Sequence, residues 1–118
     1  QFDDQIALCG APIEDHHGGV GTGTTWAYLP DGEAVGIPLG TLVVRDSSNT
    51  LVAGRCFSAT HDAQASIRSM AQCMAMGQAA GTTAALAVGV GDVRAVRPAV
   101  VREAVRSAGA ILSMEEAG

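Results

Sequence analysis

The sequence has very few aromatic side chains and no lysine. Phe, Trp and Tyr together supply four of the 118 residues, so large rings cannot fill most of the interior. All seven basic residues are arginine, against twelve acidic residues, and the formal net charge of −5 argues against a nucleic-acid partner. With 47% hydrophobic and only 16% charged residues, the chain also differs from an acidic disordered tail. We therefore expect one folded domain.

Paired cysteines and a strongly hydrophobic run are missing as well. Cys9, Cys56 and Cys73 are odd in number and form no CxxC motif, which favours reduced thiols and a cytoplasmic protein. Residues 69–91 carry no charge and are long enough to cross a bilayer. They are mostly Ala, Gly, Thr and Gln, which insert poorly, so we expect a buried helix and no membrane partner.

Glycine is abundant, with 15 residues, about twice its usual share of roughly 7%. Such a chain buries less apolar surface per residue than average. The sequence also begins with Gln1, and its first thirty residues contain no hydrophobic run typical of a secretory signal. We expect a section of a larger fold, with an exposed glycine-bearing helix that allows self-association.

Turn-forming residues divide the chain into successive elements. Glycine and proline are frequent in residues 1–33, which predicts a mostly irregular loop that covers a site or another segment. Residues 35–45 and 50–53 are rich in β-formers and flank the turn DSSN, which predicts a pair of strands near 35–53.

Two helices are predicted in the second half. From residue 66 to 88, apolar or small residues recur every three or four positions, and this spacing predicts one long helix with these residues on its packing face: Ile67, Met70, Met74, Gly77, Gly81, Ala84 and Val88. A shorter helix is predicted from Pro98 to about Ser107, with Val101 and Val105 on one face and Gly109 at its end. The N-terminus of the long helix is a place where an anionic group is favoured.

Several weaker motifs leave alternatives open. GVGTG at residues 19–23 is not a GxGxxG motif and follows no strand, so a phosphate loop is disfavoured. Glu14, Asp15, His16 and His17 are a metal cluster or, as we favour, a solvated loop or pocket rim; no His pair has the i, i+4 spacing of a helical zinc site. Taken singly, His61 and Arg68 are an ordinary loop histidine and helix-surface arginine. The three thiols have no neighbouring base that would indicate a catalytic cysteine.

One long stretch resembles a known family. It comprises LVAGRCFSATH at residues 51–61, ASIR at 65–68 and CMAMGQAAG at 73–81, preceded by GTTW at 23–26 and GIP at 36–38. This stretch resembles the C-terminal signature of FAD-dependent oxidoreductases distantly related to fumarate reductase and succinate dehydrogenase flavoproteins. The resemblance covers roughly residues 10–112 and implies the glutathione-reductase-like superfold.

The resemblance implies a set of site residues. Gly54 and Arg55 would lie beside the cofactor, and backbone groups of Ser69, Met70 and Ala71 would stabilise negative charge on the pyrimidine side of the flavin. Fumarate reductase relatives have an AGE-like strand end, a histidine six positions after the acid, and then an arginine. By that pattern His61 would orient the substrate or exchange a proton, and Arg68 would hold an anionic or carbonyl group. Arg55 stands in place of the acid, which argues against a dicarboxylate substrate.

The resemblance also implies the architecture. We expect an α/β fold, α+β if the section stands alone, at the edge of a doubly wound FAD-binding domain with a strand, a loop, a long helix and a C-terminal helix. Residues 1–33 would be a cap or substrate-side segment, 34–91 the C-terminal part of the FAD-binding domain, and 92–118 the C-terminal helix and tail. The sequence lacks an N-terminal strand followed by GxGxxG, which binds the ADP half of FAD. The rest of the same protein, or a partner subunit, would supply it.

The leading hypothesis is therefore a section of an FAD-dependent oxidoreductase that transfers hydride between a small organic substrate and flavin, and that alone binds FAD weakly or not at all. A second hypothesis is a non-catalytic module that docks on a partner chain through the glycine-bearing helix. A third is a metal site at Glu14, His16 and His17, although our leading expectation is that no metal is bound.

Overall fold

Short strands occupy much of the N-terminal third in the computed structural model, which describes residues 2–16 and 23–117. They are β1 (Gln5–Cys9), β2 (Ile13–His16), β3 (Thr24–Ala27) and β4 (Val35–Pro38). The prediction of a mostly irregular loop over residues 1–33 is therefore wrong. The strands in this region are only four or five residues long, and turn-forming residues are frequent around them. The sequence pattern therefore did not indicate these strands.

The strands form two antiparallel pairs. β1 pairs with β4, with Ala7 opposite Ile37, and β2 pairs with β3, with Ile13 opposite Ala27. Strand β1 is almost entirely buried and β4 is partly buried, whereas every residue of β3 is exposed. Glycine is required at position 36, because a Cβ there would collide with the side chain of buried Gln5.

The predicted pair of strands at 35–53 is only partly present. β4 ends at Pro38, a 3₁₀ helix follows at Leu39–Leu42, and the second half contributes a single antiparallel bridge between Val43 and Leu51. The first run of β-formers does begin as a strand, but β4 takes β1 as its partner. Local sequence contains no information about that distant pairing.

The predicted long helix is present as α2 (Met70–Ala87), and a separate short helix that was not predicted, α1 (His61–Ile67), precedes it. Ser69 separates them in an extended conformation, with ψ of 162°. The predicted packing face of α2 is wrong, because Met70, Met74 and Val88 are 77%, 75% and 85% exposed. Small and apolar residues occur all around α2, so the sequence pattern had no polar face from which to orient the helix.

The buried face of α2 consists of Met76, Ala79, Thr83 and Ala87. We call the opposite face the exposed α2 stripe; it comprises Met70, Met74, Gly77, Gly81, Ala84 and Val88. Within the described part of the chain, no helix combines the length and hydrophobicity that a bilayer crossing requires.

The C-terminal region follows the prediction closely. A 3₁₀ helix at Val93–Ala95 precedes α3 (Pro98–Ser107), whose Val101 and Val105 are buried, and α4 (Met114–Ala117) follows. Gly109 has φ of +91°, the left-handed conformation that favours glycine after a helix.

The core lies between the β1–β4 pair and the helices α2 and α3, which also pack on each other. Its fully buried side chains are of moderate size: Ile6, Ile37, Leu42, Met76, Val101, Val105 and Leu112. The mixed fold class, α+β for this chain, is confirmed. Packing of α1 against β2 holds the β2–β3 hairpin beside the site described next.

Candidate functional site

A groove runs between the β2–β3 hairpin and the segment from α1 to the beginning of α2. It contains two adjoining cavities of about 170 and 320 Å³, which share Glu14, Ala65 and Arg68. We call the first the His61 pocket; its lining adds Asp15, His16, His61 and Gln64. We call the second the Trp26 pocket; its lining adds Ala11, Pro12, Trp26, Arg55, Ser66 and Ser69.

The groove brings together residues that the sequence predicted as separate functional groups. His61 and Arg68 line the first cavity, and Arg55, Arg68 and Ser69 line the second. A larger cavity of about 500 Å³ lies elsewhere, beside Leu39 and Val93. Its lining includes no predicted site residue, so we place the candidate site in the groove.

His61 begins α1 and is bound by a carboxylate. Thr60 caps the helix, its Oγ1 accepting the N–H of Ala63 at 3.4 Å, which fixes where His61 leaves the backbone. His61 Nε2 lies 2.9 Å from Oδ1 of Asp15 on β2. The hydrogen bond to Asp15, together with the negative charge of Asp15, raises the pKa of His61 above its ordinary value of 6.5.

Arg68 follows α1 directly and is also held by β2. Its Nη2 donates to Oε2 of Glu14 at 3.1 Å and to the main-chain oxygen of Glu14 at 3.3 Å. Glu14 Oε1 lies 3.3 Å from Nε2 of His16, whose Nδ1 is 2.9 Å from Oγ1 of Thr24. Both candidate substrate-side groups therefore have a carboxylate partner from the same strand.

Arg55 and Gly54 occupy the 3₁₀ helix Gly54–Cys56, which faces the junction of α1 and α2. Arg55 Nε donates to the carbonyl oxygen of Arg68 at 3.0 Å, and Gln64 Nε2 donates to the carbonyl oxygen of Arg55 at 2.9 Å. Gly54 has φ of +78°, a conformation that side chains other than glycine rarely adopt. These bonds fix Arg55 at the edge of the groove.

The N-terminus of α2 opens beside Arg55 and Arg68. Ser69 occupies the N-cap position, but its side chain accepts no hydrogen bond from the helix backbone and instead donates to Oε1 of Gln72. Ser69, Met70 and Ala71 are all exposed. The N–H groups of the first turn, at the positive end of the helix, are therefore accessible to an anionic group.

Sequence reasoning did not identify Glu14 and Asp15 as partners of Arg68 and His61. It interpreted residues 14–17 as a metal cluster or a pocket rim, and the structure places Glu14, Asp15 and His16 in the lining of the His61 pocket. Among residues 2–16 and 23–117, no three His, Cys, Asp or Glu side chains are placed to hold a metal ion. His17 and residues 19–22 of the GVGTG motif lie outside the described residues.

A family model described as FAD dependent oxidoreductase matches residues 1–105. The chain belongs to this family. No curated protein and no solved structure matches it. Membership in the FAD-dependent oxidoreductases establishes the oxidoreductase class and implies FAD as the cofactor of the intact protein.

Two observations test whether the described residues of this FAD-dependent oxidoreductase fit the cofactor. The uncapped α2 N-terminus and the adjoining Gly54 backbone fit the electron-accepting end of a flavin, where negative charge accumulates on reduction. The ADP half has no matching site in the described part of the chain. Both sheets there are antiparallel pairs, whereas a dinucleotide site needs a parallel βαβ unit with a glycine-rich turn.

Proposed function

We propose that this chain forms the substrate side and the flavin-proximal wall of an FAD-dependent oxidoreductase that transfers hydride between a small organic substrate and flavin. One observation carries the proposal: His61, Arg68, Arg55 and the start of α2 converge on one groove. If His61 and Arg68 were ordinary residues of a solvated surface, there would be no reason for residues from a strand, a 3₁₀ helix and two α-helices to meet around them.

FAD, when bound, supplies the hydride acceptor or donor, and the residues of this chain position the substrate and move a proton. Gly54, Ser69, Met70 and Ala71 would line the cofactor, with the helix N-terminus favouring its anionic form, and Arg55 would lie beside the cofactor at the edge of the groove. Arg68 would orient an anionic or carbonyl group of the substrate, because its guanidinium already binds oxygen atoms of Glu14 at the groove wall.

His61 would exchange the proton that accompanies hydride transfer. The ionised carboxylate of Asp15 can only accept a hydrogen bond, so the nearby Nε2 carries the proton of that bond. Nδ1 is then the ring nitrogen that would exchange a proton with the substrate. The raised pKa of His61 increases the fraction of protonated imidazole near neutral pH, which suits a group that donates a proton.

A second segment, from the same protein or from a partner subunit, would bind the ADP half of FAD. The exposed α2 stripe supports this arrangement, because a helix in a finished domain rarely leaves so much apolar side chain in water. Cys9, Cys56 and Cys73 are all free, which supports a cytoplasmic location.

The test is the visible spectrum of this chain alone and of the chain co-expressed with the remainder of its gene product. Flavin absorption bands are expected only in the combined sample. His61→Gln and Arg68→Gln variants of the loaded complex should keep these bands and lose turnover. Two folded partners that show no flavin bands in any combination would overturn the proposal.

The exposed α2 stripe also favours the second hypothesis, a non-catalytic module that docks on a partner chain. The same experiment separates the two, because the module hypothesis predicts a complex without flavin.

A further inference from the structure

The charges around the Trp26 pocket do not cancel. Its lining contains two arginines, Arg55 and Arg68, and one carboxylate, Glu14, which gives a net charge of +1. Arg68 and Glu14 already pair with each other at 3.1 Å. Among the described residues, Arg55 bonds an acceptor only through Nε, so its two terminal amino groups retain hydrogen-bonding capacity.

A single anionic group would therefore complete the site. A guanidinium with two free amino groups presents the planar fork that carboxylates match. A second carboxylate would have to displace Glu14 from Arg68 or remain without a cationic partner. The pocket thus favours a monoanion over a dicarboxylate.

The remaining wall of the pocket combines two serines, Ser66 and Ser69, with apolar side chains and one aromatic ring. Trp26 lies on β3 and is 48% exposed, and Ala11, Pro12 and Ala65 line the same cavity. The indole stacks on the ring of Tyr28, with centroids 6.4 Å apart and planes 20° from parallel, which restricts its orientation. A volume of about 320 Å³ accommodates a compound with one ring.

We propose that the Trp26 pocket binds an aromatic monocarboxylate, with the ring against Trp26 and the carboxylate on Arg55. That this compound is the molecule oxidised or reduced rests on the function proposed above. The binding itself rests only on the pocket. Trp26 is then a specificity-determining residue and Arg55 an anion-binding one.

The chain carries its own reporter, because Trp26 is its single tryptophan. We would titrate the 118-residue chain with benzoate and follow tryptophan fluorescence, with succinate and benzyl alcohol as comparison ligands. Saturable quenching is expected with benzoate, and at least tenfold weaker binding with each of the others. Equal response to succinate, or no saturable response to benzoate, would overturn the proposal.

Two matched variants locate the anion site. Arg55→Gln should weaken benzoate binding about tenfold, whereas Arg45→Gln, which removes an equal charge outside the groove, should leave it unchanged. Circular dichroism would verify that both variants keep the fold. If both variants weaken binding equally, the quenching reflects general charge attraction and the assignment to Arg55 is wrong.

For Trp26, ring-proton line broadening of benzoate in NMR replaces fluorescence. Trp26→Leu should reduce broadening and Phe2→Leu should not; equal broadening in both variants would contradict a role for the indole. Flavin loading is measured separately. Arg55-dependent benzoate binding in a system that never acquires flavin would support the pocket and overturn the oxidoreductase mechanism.

Discussion

At the scale of single residues, the contact between His61 and Asp15 makes the groove sensitive to pH. The pKa of His61 is higher in the folded chain than its ordinary value of 6.5 because Asp15 bonds the ring and its charge favours the protonated form. At pH values below the ordinary pKa, the contact therefore makes its full contribution to the stability of the folded state. This contribution is lost as the pH rises through the raised pKa.

Asp15→Asn should return the pKa of His61 toward its ordinary value, since both the charge and the best hydrogen-bond acceptor are removed. A pH titration of the His61 ring protons by NMR measures this. Asp62→Asn is the control, because Asp62 makes only the smallest contribution to the shift. Equal pKa values in the two variants would show that Asp15 does not hold the imidazole in solution.

The sequence predicts His61 and Arg68 as site residues, but it does not predict the side chains that bind them. Both residues belong to a motif that resembles a family signature, whereas Asp15 and Glu14 lie 46 and 54 positions earlier. Their approach depends on the β2–β3 hairpin, whose strands were concealed by turn residues. Contacts of this separation follow from tertiary packing and not from local pattern.

At the scale of elements, α2 has two apolar faces of which only one is packed. Met76 is fully buried and Met74, two residues earlier, is 75% exposed. The spacing of three and four identified α2 as a helix but placed the wrong face inward, because Ala and Gly give little contrast between faces.

Met76→Ala should lower the free energy of unfolding by about 2–5 kcal/mol, because it leaves a cavity in the core. Met74→Ala should change it by no more than about 0.5 kcal/mol. Urea denaturation of both variants makes the comparison. Similar losses of stability in both variants would mean that α2 is rotated relative to the orientation that buries Met76 and exposes Met74.

Two glycines should respond oppositely to the same substitution. Gly109→Ala should destabilise the chain by about 1–2 kcal/mol, since alanine is strained at its positive φ of +91°. Gly77→Ala should stabilise it by about 0.5–1 kcal/mol, because Gly77 is helical and a Cβ there meets nothing within 4 Å. Thermal melts of the two variants provide the measurement, and a loss of stability in Gly77→Ala would contradict the open surroundings of that residue.

At the scale of the whole molecule, the exposed α2 stripe is the part of the surface best suited to contact another segment. It has no charged residue and combines small residues with two methionines, which allows close approach of a second backbone. Its charge-free character was evident from the sequence. Its position outside the core was not, because that depends on which face β1 and α3 cover.

The double substitution Gly77→Leu and Gly81→Leu should prevent formation of the flavin-loaded complex proposed above while the chain itself stays folded. Leucine is tolerated in exposed helix positions, but its bulk blocks close approach. Size-exclusion chromatography with detection at flavin wavelengths measures the complex. Ala99→Leu, which adds bulk at an exposed position of α3, is the control. Unchanged assembly of the double variant would place the interface elsewhere.

The connection between the two ends of the fold also determines when the chain can fold during its synthesis. Gln5 Nε2 donates to the carbonyl oxygen of Leu112, 107 residues later, and Arg102 Nη1 donates to the carbonyl oxygen of Asp3 at 2.7 Å. At a translation rate of about 5–20 residues per second, β1 waits roughly 5–20 s for these partners to be made. Strand β4 and helix α2 are made earlier and cover part of β1, but the surroundings of its buried side chains Ile6, Ala7 and Cys9 are complete only after α3 and Leu112 have been made.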